Sequence, residues 1–174
     1  MRDLEARSET LGISTNELMN NAGFSIASHI AKNMGPMKGL RVVSLVGTGN
    51  NGSDCLIASG HLAKWGASVT AVILKPRSEP DLRRQETLEK GISLIDISEG
   101  KENCAFSSIH SLLINAHIIV DGILGIGTSL PIRDPFKTVL SDIRALNEKK
   151  AKCFSIDVPS GVDSDTGDKN LPHV

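Results

Sequence analysis

Tyrosine is absent from this chain of 174 residues, and one tryptophan and four phenylalanines are its whole aromatic content. A core without many large rings must be filled by Ile, Leu, Val and Ala. The same absence excludes a hydride-transfer site built on a paired Tyr and Lys. Cysteine is nearly as scarce: Cys55, Cys104 and Cys153 are odd in number, far apart and without metal-ligand spacing. They read as reduced thiols and not as a disulfide framework. Neither sign of charge dominates, with 19 basic residues against 20 acidic ones. That balance argues against a broad surface for nucleic acid or anionic membrane. No run of about 18 apolar residues occurs, and the charged start Met1-Arg2-Asp3-Leu4-Glu5 has no apolar signal-peptide segment. The expectation is no transmembrane span and a cytoplasmic location.

What remains is the pattern of an ordinary globular domain. The length suits one domain with a self-sufficient core. Leu18, Met19, Ala22, Ile26, Ile30 and Ala31 recur at steps of three and four, which predicts a helix over residues 16–33. Ser14 or Thr15 serves as its N-cap, Glu17 lies at capping-box spacing from Ser14, and Gly35-Pro36 ends it. Short β-branched runs predict strands at 41–46, 68–74, 92–95, 117–120 and 152–156, with helices at 53–65, 81–90, 106–113 and 135–147 between them. This alternation implies a three-layer, Rossmann-like α/β fold: a mainly parallel sheet, right-handed crossovers and helices on both faces. In such sheets ligands bind beyond the carboxyl ends of the strands.

Three polar clusters stand at those ends. The first, Gly47-Thr48-Gly49-Asn50-Asn51-Gly52-Ser53-Asp54, matches G-x-G-x-x-G between a strand and a helix. Its glycines allow close backbone approach, and the helix that follows directs free N–H groups at an anion. A tight turn with no ligand would look the same to the pattern alone. The two asparagines and the aspartate suit a cation or a sugar hydroxyl besides phosphate. The second cluster begins at Asp121, after Ile118-Ile119-Val120, and runs through Gly122, Gly125 and Gly127 to Pro131. A carboxylate there needs a partner, a hydrogen bond or a cation; the plain alternative is an N-cap or Asx-turn. The third is Asp157-Val158-Pro159-Ser160-Gly161, followed by Asp163 and Asp165, which form only a fragment of a calcium loop. Ser160 is not in a nucleophile elbow, and no histidines pair at metal-ligand spacing.

Taken in order, Leu18-Met19-Asn20-Asn21-Ala22-Gly23, Val46-Gly47-Thr48-Gly49-Asn50-Asn51-Gly52-Ser53-Asp54, Val120-Asp121-Gly122-Ile123-Leu124-Gly125-Ile126-Gly127 and Ile156-Asp157-Val158-Pro159-Ser160-Gly161-Val162-Asp163 resemble the four motifs of the NAD(P)H-hydrate epimerases, the YjeF N-terminal domain. The resemblance spans residues 10–167. It implies an isomerase of nicotinamide nucleotide repair, which interconverts the R and S forms of hydrated NADH and NADPH so that an ADP-dependent dehydratase, fused or separate, can restore the cofactor. It implies a potassium ion held by Asn51, Asp121 and Ser160. It places the substrate against Asn50, Asn51, Gly52, Ser53 and Asp54, against Gly125, Ile126, Gly127, Thr128, Ser129, Leu130 and Pro131, and against Asp157. Asp157, and after it Asp121, are the candidate proton-transfer groups. Ser53 and Cys55 depart from the family's usual glycines, and Leu124 and Ile126 from a usual Phe and Thr. The family domain continues past Thr166-Gly167, so truncation at the C-terminus is expected. The helix bearing Met19, Phe24 and Ile26 is a candidate homodimer face. Two alternatives stay open: a non-catalytic nucleotide- or protein-binding module of the same fold, and an NADP-dependent oxidoreductase in which Lys75 and Arg77 meet a 2′-phosphate.

Overall fold

The computed structural model describes residues 8, 11–78, 81–98, 102–126, 131–146, 151–169 and 172–174. Ser14 opens α1 (Thr15–Met34) with a reciprocal cap: its hydroxyl accepts the Glu17 amide, and the Glu17 carboxylate accepts the Ser14 amide. These bonds hold the Glu17 carboxyl below its usual value, and satisfy donors that the first helical turn leaves open. The chain then runs β1 (Arg41–Val46), α2 (Asn50–Lys64), β2 (Ser68–Ile73), α3 (Leu82–Glu89), β3 (Ser93–Asp96), α4 (Glu102–Asn115), β4 (Ile118–Gly122), α5 (Phe136–Leu146) and β5 (Lys152–Ser155).

The five strands form one parallel sheet in the order β3-β2-β1-β4-β5. Successive side chains on a strand point to opposite faces, and both faces here are dry. Val42 and Val46 of β1 pack with Ile30 of α1 and with Leu56 and Leu62 of α2. Val43 and Leu45 pack with Ile109 and Leu113 of α4 and with Leu140 and Ile143 of α5. The aliphatic core expected from the scarcity of rings is therefore double, one layer on each side of β1. Truncating Leu45, which is fully buried, to Ala would cost about 2–5 kcal/mol.

Two boundaries differ from the sequence reading in ways that bear on the site. The second helix starts at Asn50 and not at Ser53, and β4 runs on through Asp121 to Gly122. Among the described residues no helix is long and apolar enough to cross a membrane.

Candidate functional site

The expected convergence of loops occurs at the carboxyl ends of β1, β4 and β5. Gly47 follows β1 and donates its amide to the Gly122 carbonyl at the end of β4, 3.0 Å away. A side chain at Gly47 would run into the Ile123 carbonyl, and one at Gly52 would strike the Gly47 carbonyl. Glycine is thus required at both positions by contact. Gly49 caps α2 without a side-chain bond, and the amide of Ser53 is the first to reach back, to the Gly49 carbonyl at 3.2 Å. The amides of Asn50, Asn51 and Gly52 precede that bond, at the partially positive end of a 15-residue helix. This is a receptive geometry for phosphate.

The two departures in this loop are accommodated by neighbours. Ser53 accepts a hydrogen bond from Arg77 Nη2 at 2.8 Å. Arg77 also donates to the Gly47 carbonyl and, through Nε, to Asp81 Oδ2 at 2.6 Å. Cys55 is buried against Gly122, where a Cβ would sit 2.6 Å from the cysteine's own. Burial, with Asp121 nearby, pushes the Cys55 thiol up to about 12, so it stays protonated and unreactive.

Asp121 is not at the rim. It lies inside β4, on the same face as Ile119, and is fully buried. Its Oδ1 accepts from the Ser160 hydroxyl at 2.6 Å and the Ile123 amide at 3.3 Å. Its Oδ2 accepts from the Ser160 amide at 2.8 Å and from the hydroxyl of Ser155, its register partner on β5, at 3.0 Å. Burial holds the carboxyl above its usual value, against the downward pull of these donors. Asp121 therefore fastens the Pro159-Ser160-Gly161 turn to the sheet. The hydroxyl of Ser160 passes the connection on by accepting the Leu124 amide at 3.0 Å.

Asp157 is the opposite case. Its carboxylate is exposed, and Oδ2 accepts the Ile126 amide at 2.9 Å. Gly125 packs tightly beside it: a Cβ there would stand 2.9 Å from Asp157 Oδ2 and 3.7 Å from Asn51 Cγ. Asn51 in turn donates to the Leu124 carbonyl at 2.8 Å. One small region thus adjoins the Asp157 carboxylate, the Asn51 amide and the first turn of α2. A cavity of about 60 Å³ adjoins it, between Leu124, Gly125 and Ile126 on one side and Pro159, Ser160 and Asp163 on the other.

Of the remaining candidate residues, Pro131 is exposed beyond this loop, and Gly127, Thr128, Ser129 and Leu130 lie outside the described residues. Asp163 accepts the amides of Asp165 and Thr166 at 2.9 and 3.0 Å, an Asx-type turn. Sequence reasoning missed Ser155 and the Arg77–Asp81 pair. The i,i+4 spacing of Arg77 and Asp81 was visible, but their reach to a loop 24 to 30 residues away was not.

A doubly wound α/β domain with a glycine loop leading into a helix N-terminus and an exposed aspartate at its carboxyl edge is the class that fold and site define. The chain belongs to the YjeF-related protein N-terminus family, which matches residues 15–173. It is 32% identical over 172 residues to an NAD(P)H-hydrate epimerase of Nitrosopumilus maritimus, covering 97% of this chain and 75% of that protein. It is 35% identical over 168 residues to a bifunctional NAD(P)H-hydrate repair enzyme Nnr of Hyperthermus butylicus, covering 95% of this chain and 30% of that one. The crystal structure of yeast YNL200c superposes with a TM-score of 0.79 at 25% identity, over 99% of this chain and 74% of the other. The chain thus spans most of one epimerase and less than a third of the longer enzyme.

Proposed function

We propose that this chain epimerises the R and S forms of hydrated NADH and NADPH, as an isomerase of nicotinamide nucleotide repair. The observation that carries the reading is the exposed Asp157 carboxylate held against Gly125 and Ile126, close to Asn51 and to the start of α2, whose geometry suits an anion. Relatives named as NAD(P)H-hydrate epimerases align over nearly the whole chain.

The chemistry asks little of such a site. The hydrated carbon carries both a hydroxyl and the ring nitrogen. When the nitrogen lone pair moves toward carbon, the C–O bond breaks and water leaves, leaving a planar iminium. Water then adds to either face and returns a proton. Asp157, once it has taken up a proton from solvent, gives that proton to the departing oxygen and takes one back from the incoming water, a role that accelerates such steps by roughly 10²–10⁴-fold. The amides of residues 50–52 hold the pyrophosphate, and Leu124, Gly125 and Ile126 form the wall along which the hydrated ring lies.

A potassium ion fits the donors present. Asn51, Asp121 and Ser160 carry an amide oxygen, a carboxylate and a hydroxyl, hard ligands for such a cation; each Asp121 oxygen already accepts two hydrogen bonds, so the ion would take the place of some of these donors. The partners of the buried Asp121 carboxylate are all neutral, so a neighbouring positive charge would offset its cost of burial. When bound, the ion supplies charge compensation and tension across the three loops; proton transfer remains with Asp157. The product class also implies a stereospecific dehydratase acting on one epimer, on a fused or separate chain.

The test is an NMR assay of epimer exchange on the separated hydrates. Wild-type protein speeds exchange well above the uncatalysed rate, and Asp157→Asn, still folded, does not. Equal rates for the two proteins would remove Asp157 from the mechanism.

A further inference from the structure

Arg77 lies between β2 and α3, and its side chain is only 7% exposed although no strand or helix contains it. Three of its nitrogens are committed. Nη1 donates to the carbonyl of Gly47, where the glycine loop begins. Nη2 donates to the Ser53 hydroxyl, in the first turn of α2, at 2.8 Å. Nε meets Asp81 Oδ2 at 2.6 Å, and the other oxygen of Asp81 accepts the Arg84 amide at 3.1 Å as it caps α3. A side chain on Gly52 would fall 2.6 Å from Nη1, so the guanidinium is packed against the turn it braces.

A guanidinium is a rigid planar fork. Here it spans the loop from entry to exit, and the three open amides of residues 50–52 lie between its two anchor points. The separation of those anchors fixes the direction in which the amides point. The charge of the fork is already matched by Asp81, which is itself 5% exposed. It is therefore not offered to a ligand.

We propose that Arg77 is a positioning residue for the phosphate end of the substrate, acting through Gly47 and Ser53, and that it does not discriminate the 2′-phosphate. The proposal rests on a dinucleotide substrate as read above. A lysine keeps the charge opposite Asp81 but cannot span both anchors. Ser53→Ala removes one anchor and leaves the ion pair intact.

The experiment compares full-length wild type, Arg77→Lys, Arg77→Ala and Ser53→Ala. Calorimetry reads the binding of ADP-ribose, which carries the pyrophosphate without the nicotinamide. Steady-state epimerisation reads KM and kcat for hydrated NADH and hydrated NADPH, and thermal melts report folding. Arg77→Lys weakens ADP-ribose binding and raises KM for both hydrates by a common factor of about tenfold, with kcat little changed. Ser53→Ala shifts the same quantities in the same direction by less. A KM rise confined to hydrated NADPH would show that Arg77 reads the 2′-phosphate and would overturn the proposal. So would a fall in kcat at constant KM, or unaltered ADP-ribose binding in folded Arg77→Lys. If Arg77→Ala does not fold, Ser53→Ala and Arg77→Lys decide. A wild-type protein that binds ADP-ribose without epimerising either hydrate would defeat the functional reading, and the calorimetric comparison would still judge Arg77.

Discussion

Two aspartates that look alike in sequence do different work. Asp121 ends an apolar run and is buried among four protein donors; Asp157 follows the next strand, faces solvent and accepts the Ile126 amide. Replacing Asp157 by Asn should remove roughly 10²–10⁴-fold of the acceleration and leave the thermal midpoint close to that of wild type, as rate assays and melts together would report. Asp121→Ala should instead destabilise the fold. It strands the buried amide and hydroxyl of Ser160, at about 1–3 kcal/mol for each unsatisfied group, measurable by urea denaturation.

The raised carboxyl of Asp121 also has a pH signature. In the folded chain it keeps its proton at pH values where the unfolded chain, near the ordinary 3.8, has released it. Its contribution to stability is therefore fully present below that value and is lost as pH rises through the raised folded value. In potassium-free buffer, wild type should lose more stability than Asp121→Asn over that interval. Parallel curves for the two proteins would refute this. Asp121 and Asp157 could be picked from the sequence because apolar runs end at them, and Ser160 because it lies in the turn that follows Asp157. Arg77 stood out there only as a candidate contact for a 2′-phosphate; its reach to the glycine loop, like the bond of Ser155 to Asp121, depends on partners distant in the chain.

Among the elements, α1 was legible to within a residue because its signals are local: an aliphatic stripe, Ser14 and Glu17 at its start, and Gly35 after it. Ser14→Ala should cost about 1 kcal/mol by chemical denaturation, with activity unaffected. The start of α2 was harder to read. Asn50, Asn51 and Gly52 are poor helix formers, yet they are helical because the turn is held from outside, by Leu124 on Asn51 and by the close seat of Gly52 on Gly47. The end of β4 was misplaced for a related reason. A carboxylate reads as the end of a buried strand, and only the fold supplies the donors that let Asp121 stay in the ladder. Gly47→Ala should force the ends of β1 and β4 apart and destabilise by about 1–3 kcal/mol, seen as a lowered melting temperature.

For the molecule as a whole, the strand order explains why the site is where it is. β1 and β4 are neighbours, but the helix after β1 packs on one face and the helix after β4 on the other. In open sheets such a reversal is where ligands bind, and here the two loops meet there, through Gly47 on Gly122 and Asn51 on Leu124. Alternation of strands and helices was enough to infer the layers, and the general rule for open sheets brought the three loops to one edge; the grouping of residues 51, 121 and 160 came from the family resemblance. If those oxygens hold potassium, potassium chloride should raise the melting temperature of wild type more than tetramethylammonium chloride at equal ionic strength, and Asn51→Ala should erase the difference. Equal effects of the two salts would count against the ion. The commitments of Ser160 carry a last consequence. Its hydroxyl donates to a carboxylate, accepts an amide hydrogen and is fully buried, so a bulky electrophile cannot reach it. Fluorophosphonate reagents that tag hydrolases through an activated serine should leave this position unlabelled.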